Sequence, residues 1–380
     1  MKKIGIIGAG ISGLYIANLF KKNPKYQVSI FDKKNSLNLN EGYGVQLSVN
    51  SVKFLNDIGF SKLEKDEKFY PEKINFYSKK DQDKICELDI SKFNLNDCKY
   101  TTLKRSTLIN FLKKDLNNLI NTNYSVSKID QEQEKIKLSF ENKETHECDY
   151  LIISDGVFSK SRHLVSNNQI HPKYNNTLAI RGMIPAKSNI IDKKNILLFL
   201  GSDFHHVIYP VSPSGDLNFI AIMKYKLSAE EQKNYSLFSD KSFIQKILKN
   251  IPQEKKEFFN NLKELKIFPV FVSDSFFEVK NKNIHLIGDA FFAFPPSFAQ
   301  GASQSIEGAH ELFASIENNS NINFFKNRVN KTKMVNNRSK LNQLAFHLSN
   351  PLTVYLRNIF LKKLVKNKRF LESYLGKIYR

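Results

Sequence analysis

The chain has 380 residues, of which 41% are hydrophobic and 25% charged, a composition typical of globular proteins that excludes a wholly disordered chain. The formal net charge is +21, but 50 of the 58 basic residues are lysines spread along the chain, which predicts a solvated surface and no nucleic-acid partner. Cys86, Cys98 and Cys148 have neither metal-binding nor disulfide spacing, so we predict a reducing compartment and no metal site.

The N-terminal segment predicts a strand, a glycine turn, a helix and a second strand. Residues 4–7 are apolar, residues 14–22 have the composition of an amphipathic helix, and residues 27–31 form another apolar run that ends in Asp32. The glycines of a G-x-G-x-x-G motif lie between the first strand and the helix: Gly8, Gly10 and Gly13. A signal peptide is the alternative interpretation of this start, but it lacks a small-residue cleavage site, and no uncharged run reaches the 18 residues of a membrane span.

Each part of this unit has a physical role in binding a dinucleotide. Gly8 permits a tight turn, Gly10 lets a pyrophosphate approach the backbone, and Gly13 lets the helix pack closely on the strand. The helix N-terminus at Ile11 and Ser12 offers free N–H groups to the phosphates. Asp32 lies 19 residues after Gly13, where a carboxylate can hold ribose hydroxyls.

Two later motifs decide which dinucleotide is expected. Residues 149–162 read DYLIISDGVFSKSR, an apolar strand followed by D-G-x-x-S-x-x-R. Residues 284–301 read IHLIGDAFFAFPPSFAQG, a strand followed by Gly288-Asp289, then Pro296 and Gln300-Gly301 at the start of a predicted helix. With the glycine motif, these segments resemble the three hallmarks of the single-component, FAD-dependent aromatic hydroxylases, a family that includes para-hydroxybenzoate, salicylate, kynurenine and ubiquinone-pathway hydroxylases.

The resemblance covers residues 1–315 and implies an FAD site. Gln46 lies in a segment that resembles the one after the family's second strand, and Arg105 lies in an R-x-x-L pattern that contacts the flavin there. The FAD contacts expected from the motifs and the resemblance are Gly8, Gly10, Ile11, Ser12, Gly13, Asp32, Gln46, Arg105, Asp155, Arg162, Gly288, Asp289, Gln300, Gly301 and Ala302.

Several of these residues also have an ordinary structural explanation. Asp289 follows a buried strand, where a carboxylate can either bind a ligand hydroxyl or cap the next turn. Arg105 could be an exposed helix charge, and Asp155 with Arg162 a weak surface pair. Three of only eight arginines, Arg105, Arg162 and Arg181, fall at motif positions, which favours ligand binding because a guanidinium recognises phosphate or carboxylate bidentately.

The resemblance places the substrate beside a strand at residues 204–210. His205 and His206 are adjacent, so they face opposite sides of that strand, and an ordinary packed histidine remains the alternative for each. We assign catalytic roles to Pro296, Tyr209 and His206. We expect Phe292, Phe294, Arg181 and Tyr209 to contact substrate, with core filling as the alternative for the phenylalanines, since the chain contains 31 of them.

The predicted fold class is α/β, with a Rossmann-like FAD-binding domain interleaved with a mixed-sheet substrate domain and followed by C-terminal helices. The FAD-binding domain is expected at residues 1–72, 101–165 and 281–320, the substrate domain at 73–100 and 166–280, and the helices at 321–380. Residues 351–380 carry eight basic residues and one acid. Apolar residues recur at i, i+3, i+4 spacing between residues 352 and 364, which predicts either a helix packed on the protein or a helix on a membrane surface.

The expected activity is hydroxylation of an apolar aromatic or quinone-like small molecule with FAD, NAD(P)H and O2, by a cytoplasmic monomer or homodimer. Contact of residues 351–380 with the inner membrane face is a secondary interpretation. A halogenase of the same superfamily is disfavoured because the chain has no tryptophan. A reductase of that superfamily and a flavin-binding accessory subunit of a membrane-associated biosynthetic complex stay open as alternatives.

Overall fold

The computed structural model describes residues 1–37, 43–78, 83–132, 135–166, 170–184, 192–249, 262–318 and 323–379. Its strands are β1 (Lys2–Ile7), β2 (Tyr26–Asp32), β3 (Gly44–Leu47), β4 (Lys73–Ser78), β5 (Lys84–Asp89), β6 (Thr101–Lys104), β7 (Ile120–Thr122), β8 (Val126–Glu132), β9 (Lys135–Phe140), β10 (Thr145–Cys148), β11 (Tyr150–Ile153), β12 (Lys173–Ile184), β13 (Ile196–Gly201), β14 (Phe204–Pro210), β15 (Leu217–Lys224), β16 (Lys263–Val272) and β17 (Ile284–Leu286). Its α-helices are α1 (Ile11–Lys21), α2 (Val49–Asn56), α3 (Arg105–Lys113), α4 (Lys160–Leu164), α5 (Ala229–Lys233), α6 (Lys241–Lys249), α7 (Gly301–Glu317), α8 (Phe324–Phe346), α9 (Pro351–Leu364), α10 (Lys368–Leu371) and α11 (Lys377–Tyr379).

A five-stranded parallel sheet organises the N-terminal half in the order β17-β11-β1-β2-β7. Its central strands are nearly continuous apolar runs because both faces are covered: Ile4, Ile6, Ile30 and Ile152 pack fully buried against helices, and the other face packs on the three-stranded sheet β10-β9-β8. From β1 the chain proceeds to β2 on one side and later to β11 on the other. The strand order therefore reverses at β1, which is where open α/β sheets bind ligands beyond the carboxyl ends of their strands.

A seven-stranded mixed sheet forms the second layer, in the order β16-β12-β15-β14-β13-β4-β5. The antiparallel pair β3–β6 lies between the two sheets, and its Gly44 N–H donates to Asn218 Oδ1 on β15 at 2.6 Å. The strands of the parallel sheet come from residues 1–153 and 284–286, and those of the mixed sheet from 73–89 and 173–272. The predicted α/β class with a Rossmann-like sheet, a mixed sheet and C-terminal helices is confirmed.

The C-terminal helices close the open side of the mixed sheet. Val335 and Phe346 of α8 are buried in one cluster with Leu375, Ile378 and Tyr379, which also includes side chains from β4, β13 and β14. None of the helices in the described ranges is both long and apolar enough to cross a bilayer.

Candidate active site

The glycine turn between β1 and α1 builds one wall of a cavity of about 300 Å³. Gly8 has φ +98°, a left-handed conformation that a side chain would strain. The Asp32 carboxylate accepts hydrogen bonds from the backbone N–H of Ala9 at 2.8 Å and of Lys34 at 2.9 Å, which hold it at the cavity edge. The structure brings together in this cavity Gly8, Gly10, Asp32, Arg105 and Asp155, all expected from the sequence.

Two features show that this cavity suits a bound polar ligand. A methyl group built on Gly10 meets no protein atom within 4 Å, so the protein itself does not require glycine there. Asp155 Oδ2 accepts from the Ser161 N–H at 3.2 Å, whereas Asp155 Oδ1 is buried without a hydrogen-bond partner among the described residues. A buried polar atom of this kind calls for a ligand or water to satisfy it.

Gly288 and Asp289 follow β17 and lie beside the start of α1. A methyl group on Gly288 would come within 2.5 Å of Ser12 Oγ, so these two segments are in close contact. The Asp289 side chain is exposed and lines a second cavity. Its deep position in the molecule raises the pKa of the carboxyl to about 6, while the positive charge of Arg105 acts in the opposite direction.

This second cavity has a volume of about 850 Å³ and lies between the two sheets and the C-terminal helices. Predicted site residues in its wall are Gln46, Arg181, Tyr209, Asp289, Phe294, Pro296, Gly301 and Ala302. Gly301 is the first residue of α7, whose N-terminal amides carry a partial positive charge. Like Gly10, Gly301 has open space where a methyl group would stand.

The polar groups of the large cavity are few and are held in place. Tyr100 donates its hydroxyl hydrogen to Gln46 Oε1 at 2.7 Å. Burial raises the pKa of Tyr100 and of Tyr209 far above 10, so both phenols are neutral hydrogen-bond donors at neutral pH. The Arg181 guanidinium lies 6.0 Å from the centre of the Tyr43 ring, a cation–π distance.

His206 is predicted for the site, but the structure places His205 in the cavity wall and His206 on the other face of β14. His206 stacks on Phe199 with ring centres 4.5 Å apart and planes 8° apart. Burial lowers the pKa of His205 well below 6.5, so its ring is neutral. Its Nδ1 shares a 2.7 Å hydrogen bond with Nε2 of His347, whose pKa burial lowers to about 4.

Three other expected contacts lie elsewhere in the structure. The Arg162 guanidinium is buried and donates to the carbonyls of Ala290, Val157 and Ile170 at 3.1 to 3.3 Å, so it holds the two motif loops together and does not face either cavity. Phe292 stacks on Phe276 at 4.3 Å in the core instead of lining the cavity. The Gln300 side chain is buried near Ser48 and Gln304, although its backbone begins α7.

Sequence reasoning missed several cavity residues. They are Tyr100, His205 and Phe298 together with Leu356, Phe360 and Tyr379 from the C-terminal region. Phe298 follows Pro296 by two residues in a segment rich in phenylalanine, and this position in the sequence could have identified it as a cavity residue. The periodic apolar pattern indicates that α9 packs on another element, but only the tertiary structure shows that Leu356 and Phe360 line the cavity while they stay exposed to solvent.

Ala299 offers a test of the local geometry. It has φ +51° and ψ +33°, the left-handed conformation that favours glycine over a residue with a side chain. We expect Ala299→Gly to raise the free energy of unfolding by about 0.5 to 1 kcal/mol, since strain relief outweighs the entropy gained by the unfolded chain. Ala314→Gly inside α7 should lower it by about 1 kcal/mol in the same urea titration, and a loss in both variants would contradict the assigned conformation.

Taken together, the fold and the two cavities define a dinucleotide-binding flavoprotein. The glycine turn, Asp32 and Asp155 suit the adenosine and phosphate portion, and Asp289 with the start of α7 suits the flavin portion. A family model described as FAD binding domain matches residues 1–319. The chain belongs to the FAD-dependent aromatic hydroxylase family, whose members are FAD-dependent monooxygenases, and it is an FAD-binding oxidoreductase.

Individual relatives agree with this family. Salicylate hydroxylase of Pseudomonas putida is 23% identical over 343 residues, covering 82% of this chain and 75% of the relative. A 3-amino-4-hydroxybenzoate 2-monooxygenase of Streptomyces cremeus is 22% identical over 320 residues, covering 83% and 78%. Among solved structures, Klebsiella pneumoniae HpxO complexed with FAD and uric acid shares the fold with a TM-score of 0.86 at 14% identity, covering 99% of this chain and 96% of that one.

Proposed function

We propose that this protein hydroxylates an apolar aromatic or quinone-like small molecule with NAD(P)H and O2. The observation that carries the proposal is the cavity of about 850 Å³ that has Asp289 and the α7 N-terminus at one end and mostly apolar side chains along the rest. A volume of this size holds a drug-sized ligand. The curated relatives include hydroxylases of salicylate and of 6-hydroxynicotinate, which supports an aromatic substrate.

The residues of the chain hold, orient and enclose the reactants. FAD would supply the redox chemistry when bound: it would take a hydride from NAD(P)H, deliver one oxygen atom of O2 to the ring and release the other as water. Gly301 and Ala302 offer backbone donors at the start of α7 to the electronegative edge of the flavin ring. Tyr209 and Arg181 hold the polar substituent of the substrate close to Pro296, while the apolar wall excludes water.

The wall of the cavity indicates a substrate longer than a single ring. Tyr209 and His205 both line the cavity and are four residues apart on β14, a distance of about 13 Å along a strand. Tyr209 contacts Gly44, since a methyl group there would approach its ring to 2.7 Å. Gly44 begins β3, which leads directly to Ser48, and the Ser48 N–H donates to Ser303 Oγ in the first turn of α7, so Tyr209 lies towards the flavin end. His205 lies at the far end, where Nε2 of its neutral ring is available to a second polar group.

A substrate screen tests the proposed activity. The purified yellow protein is mixed with phenolic and quinone-like compounds and either NADH or NADPH, and coenzyme oxidation is followed at 340 nm with O2 uptake. We expect at least one compound to stimulate both, and its product to gain one oxygen atom from ¹⁸O₂. Flavin reduction without oxygen incorporation would instead indicate a reductase. A purified protein that cannot bind FAD would contradict the proposal that the protein is a flavin-dependent enzyme.

The two histidines of β14 provide a matched test of the substrate end. We expect His205→Gln to raise KM for the identified substrate about tenfold, since it loses one hydrogen bond, while FAD affinity is unchanged. His206→Gln should leave KM within about twofold and lower the free energy of unfolding by about 1 to 2 kcal/mol through the lost stacking on Phe199. Equal changes of KM in both variants would contradict the assigned faces.

A further inference from the structure

The outer face of α9 exposes an unusual group of large apolar side chains. Leu352 is 65% exposed, Tyr355 63%, Leu356 43% and Phe360 59%. Leu341 and Leu344 of α8 add to this surface with exposures of 55% and 66%. Single exposed apolar residues are common, but six on two consecutive helices mark a surface that binds something apolar.

This surface is continuous with the substrate cavity. Leu341, Leu356 and Phe360 are at once exposed to solvent and part of the wall of the large cavity, so they frame its mouth. On the opposite side of α9, Arg357 is buried and donates to the Ala345 carbonyl at 3.3 Å, which fixes the helix over the cavity. A molecule that enters here crosses the apolar surface first.

Cations lie at the C-terminal end of the apolar surface. The helical repeat places Leu352, Leu356, Ile359 and Lys363 on one stripe at positions i, i+4, i+7 and i+11, with the apolar residues first and the lysine at the C-terminal end. Further exposed basic residues follow in the chain at the C-terminal end of α9 and beyond it: Lys362, Lys366, Lys368, Arg369 and Lys377. Glu372 is the single acidic residue between residues 351 and 379.

We propose that the exposed face of α9 docks on an anionic membrane surface and that the cavity mouth opens towards the bilayer. An apolar stripe with flanking lysines is the pattern of a helix that lies in the lipid interface, where anionic headgroups attract the cations. The substrate is then a lipid-soluble aromatic compound that passes from the bilayer past Phe360 into the cavity, a consequence that rests on the proposed function. A second copy of the chain is a poorer occupant, because pairing this face with itself would bring two clusters of like charge together.

Sedimentation with liposomes tests the docking on the FAD-loaded full chain. We expect it to pellet with vesicles of phosphatidylcholine containing 30% phosphatidylglycerol in 50 mM salt, and to stay in the supernatant with phosphatidylcholine alone or in 0.5 M salt. The double variant Leu352→Glu, Tyr355→Glu should lower the bound fraction at least tenfold, since neither residue lines the cavity and both are exposed. The matched control Tyr70→Glu, Leu95→Glu changes the same residue types on another exposed surface and should pellet like the wild type.

Several results would overturn the docking proposal. They are failure of the wild type to pellet with anionic vesicles, pelleting that is independent of lipid charge, and equal losses in the two double variants. A concentration-dependent dimer in sedimentation velocity that Leu352→Glu, Tyr355→Glu abolishes would assign the face to self-association instead. These readouts do not depend on turnover, so failure of docking and failure of the proposed hydroxylation are separate results.

The absence of tryptophan from the chain allows a direct test of orientation. A single reporter introduced as Tyr355→Trp should shift its emission to shorter wavelength on anionic vesicles and be quenched by lipids brominated on the acyl chains. Tyr70→Trp is the matched reporter away from the face and should do neither. An unchanged Tyr355→Trp spectrum in the pelleted complex would place another surface of the protein on the membrane and overturn the proposed orientation.

Discussion

Replacement of Gly10 by valine is expected to remove FAD from the protein and leave the apo-protein folded. Gly10 has φ −85° and ψ −172°, an extended conformation open to any residue, and a methyl group there meets no protein atom within 4 Å. The added side chain would instead occupy the space in front of the α1 N-terminus, where the pyrophosphate must approach the backbone. Loss of two charge-assisted hydrogen bonds to phosphate weakens binding on the order of 100-fold or more.

Gly13→Ala is the matched control, because it disturbs the same motif through the protein. A methyl group on Gly13 would lie 2.0 Å from the Gly8 carbonyl oxygen and 2.5 Å from Ser154 Oγ. We expect the apo-protein to lose about 3 kcal/mol of its free energy of unfolding in urea, whereas Gly10→Val should change it by less than about 1 kcal/mol. The FAD affinity of both variants is measured by titration followed by flavin fluorescence. Tight FAD binding by Gly10→Val would contradict the assignment of this turn to the pyrophosphate.

The parts of the site that could be predicted from sequence are those that local backbone geometry determines. The glycine turn, the apolar strands beside it and Asp32 all lie within one contiguous strand–turn–helix unit, so their spacing alone places them at one cavity. Asp289 could be predicted for the same reason, since it directly follows a buried parallel strand. These residues face the cavities regardless of how the rest of the chain packs.

The predicted residues that the structure places away from the cavities are those whose orientation depends on distant elements. Strand alternation requires His205 and His206 to face opposite sides, but which side is the cavity depends on where α8 and α9 pack, and His347 of the C-terminal region lies beside His205. Arg162 is predicted to bind a ligand from the D-G-x-x-S-x-x-R motif and the family resemblance, and the rarity of arginine in the chain favours the same role. Its actual partners are backbone carbonyls brought close by tertiary folding, including that of Ala290.

Asp289→Asn is expected to stabilise the apo-protein at neutral pH while it weakens FAD binding. The carboxyl pKa rises from 3.8 to about 6 on folding because the group lies deep in the molecule, although its side chain opens on the large cavity, and the charge of Arg105 offsets this effect only in part. Between these values the folded chain binds more protons than the unfolded chain, so this group makes the protein less stable as the pH rises from about 4 to above 6. Asparagine carries no charge, so the variant should be more stable than wild type at pH 7.5 and approach it near pH 4.

The matched control, Asp149→Asn, should show the opposite sign. Burial opposes ionisation of Asp149, but hydrogen bonds from Lys135 and from the Lys3 N–H outweigh it and lower the pKa below 3.8. Its removal therefore destabilises the protein at pH 7.5, in the same urea titrations of apo-protein.

FAD titration supplies the second half of the test of Asp289. An ionised carboxylate accepts a stronger hydrogen bond from a ribitol hydroxyl than an amide does, so we expect Asp289→Asn to lower FAD affinity about tenfold and Asp149→Asn to leave it unchanged. The ionised Asp289 carboxylate lowers the stability of the apo-protein. Its hydrogen bond to bound FAD would offset this loss. If Asp289→Asn lost stability and kept full FAD affinity, the carboxylate would belong to the fold and not to the cofactor site.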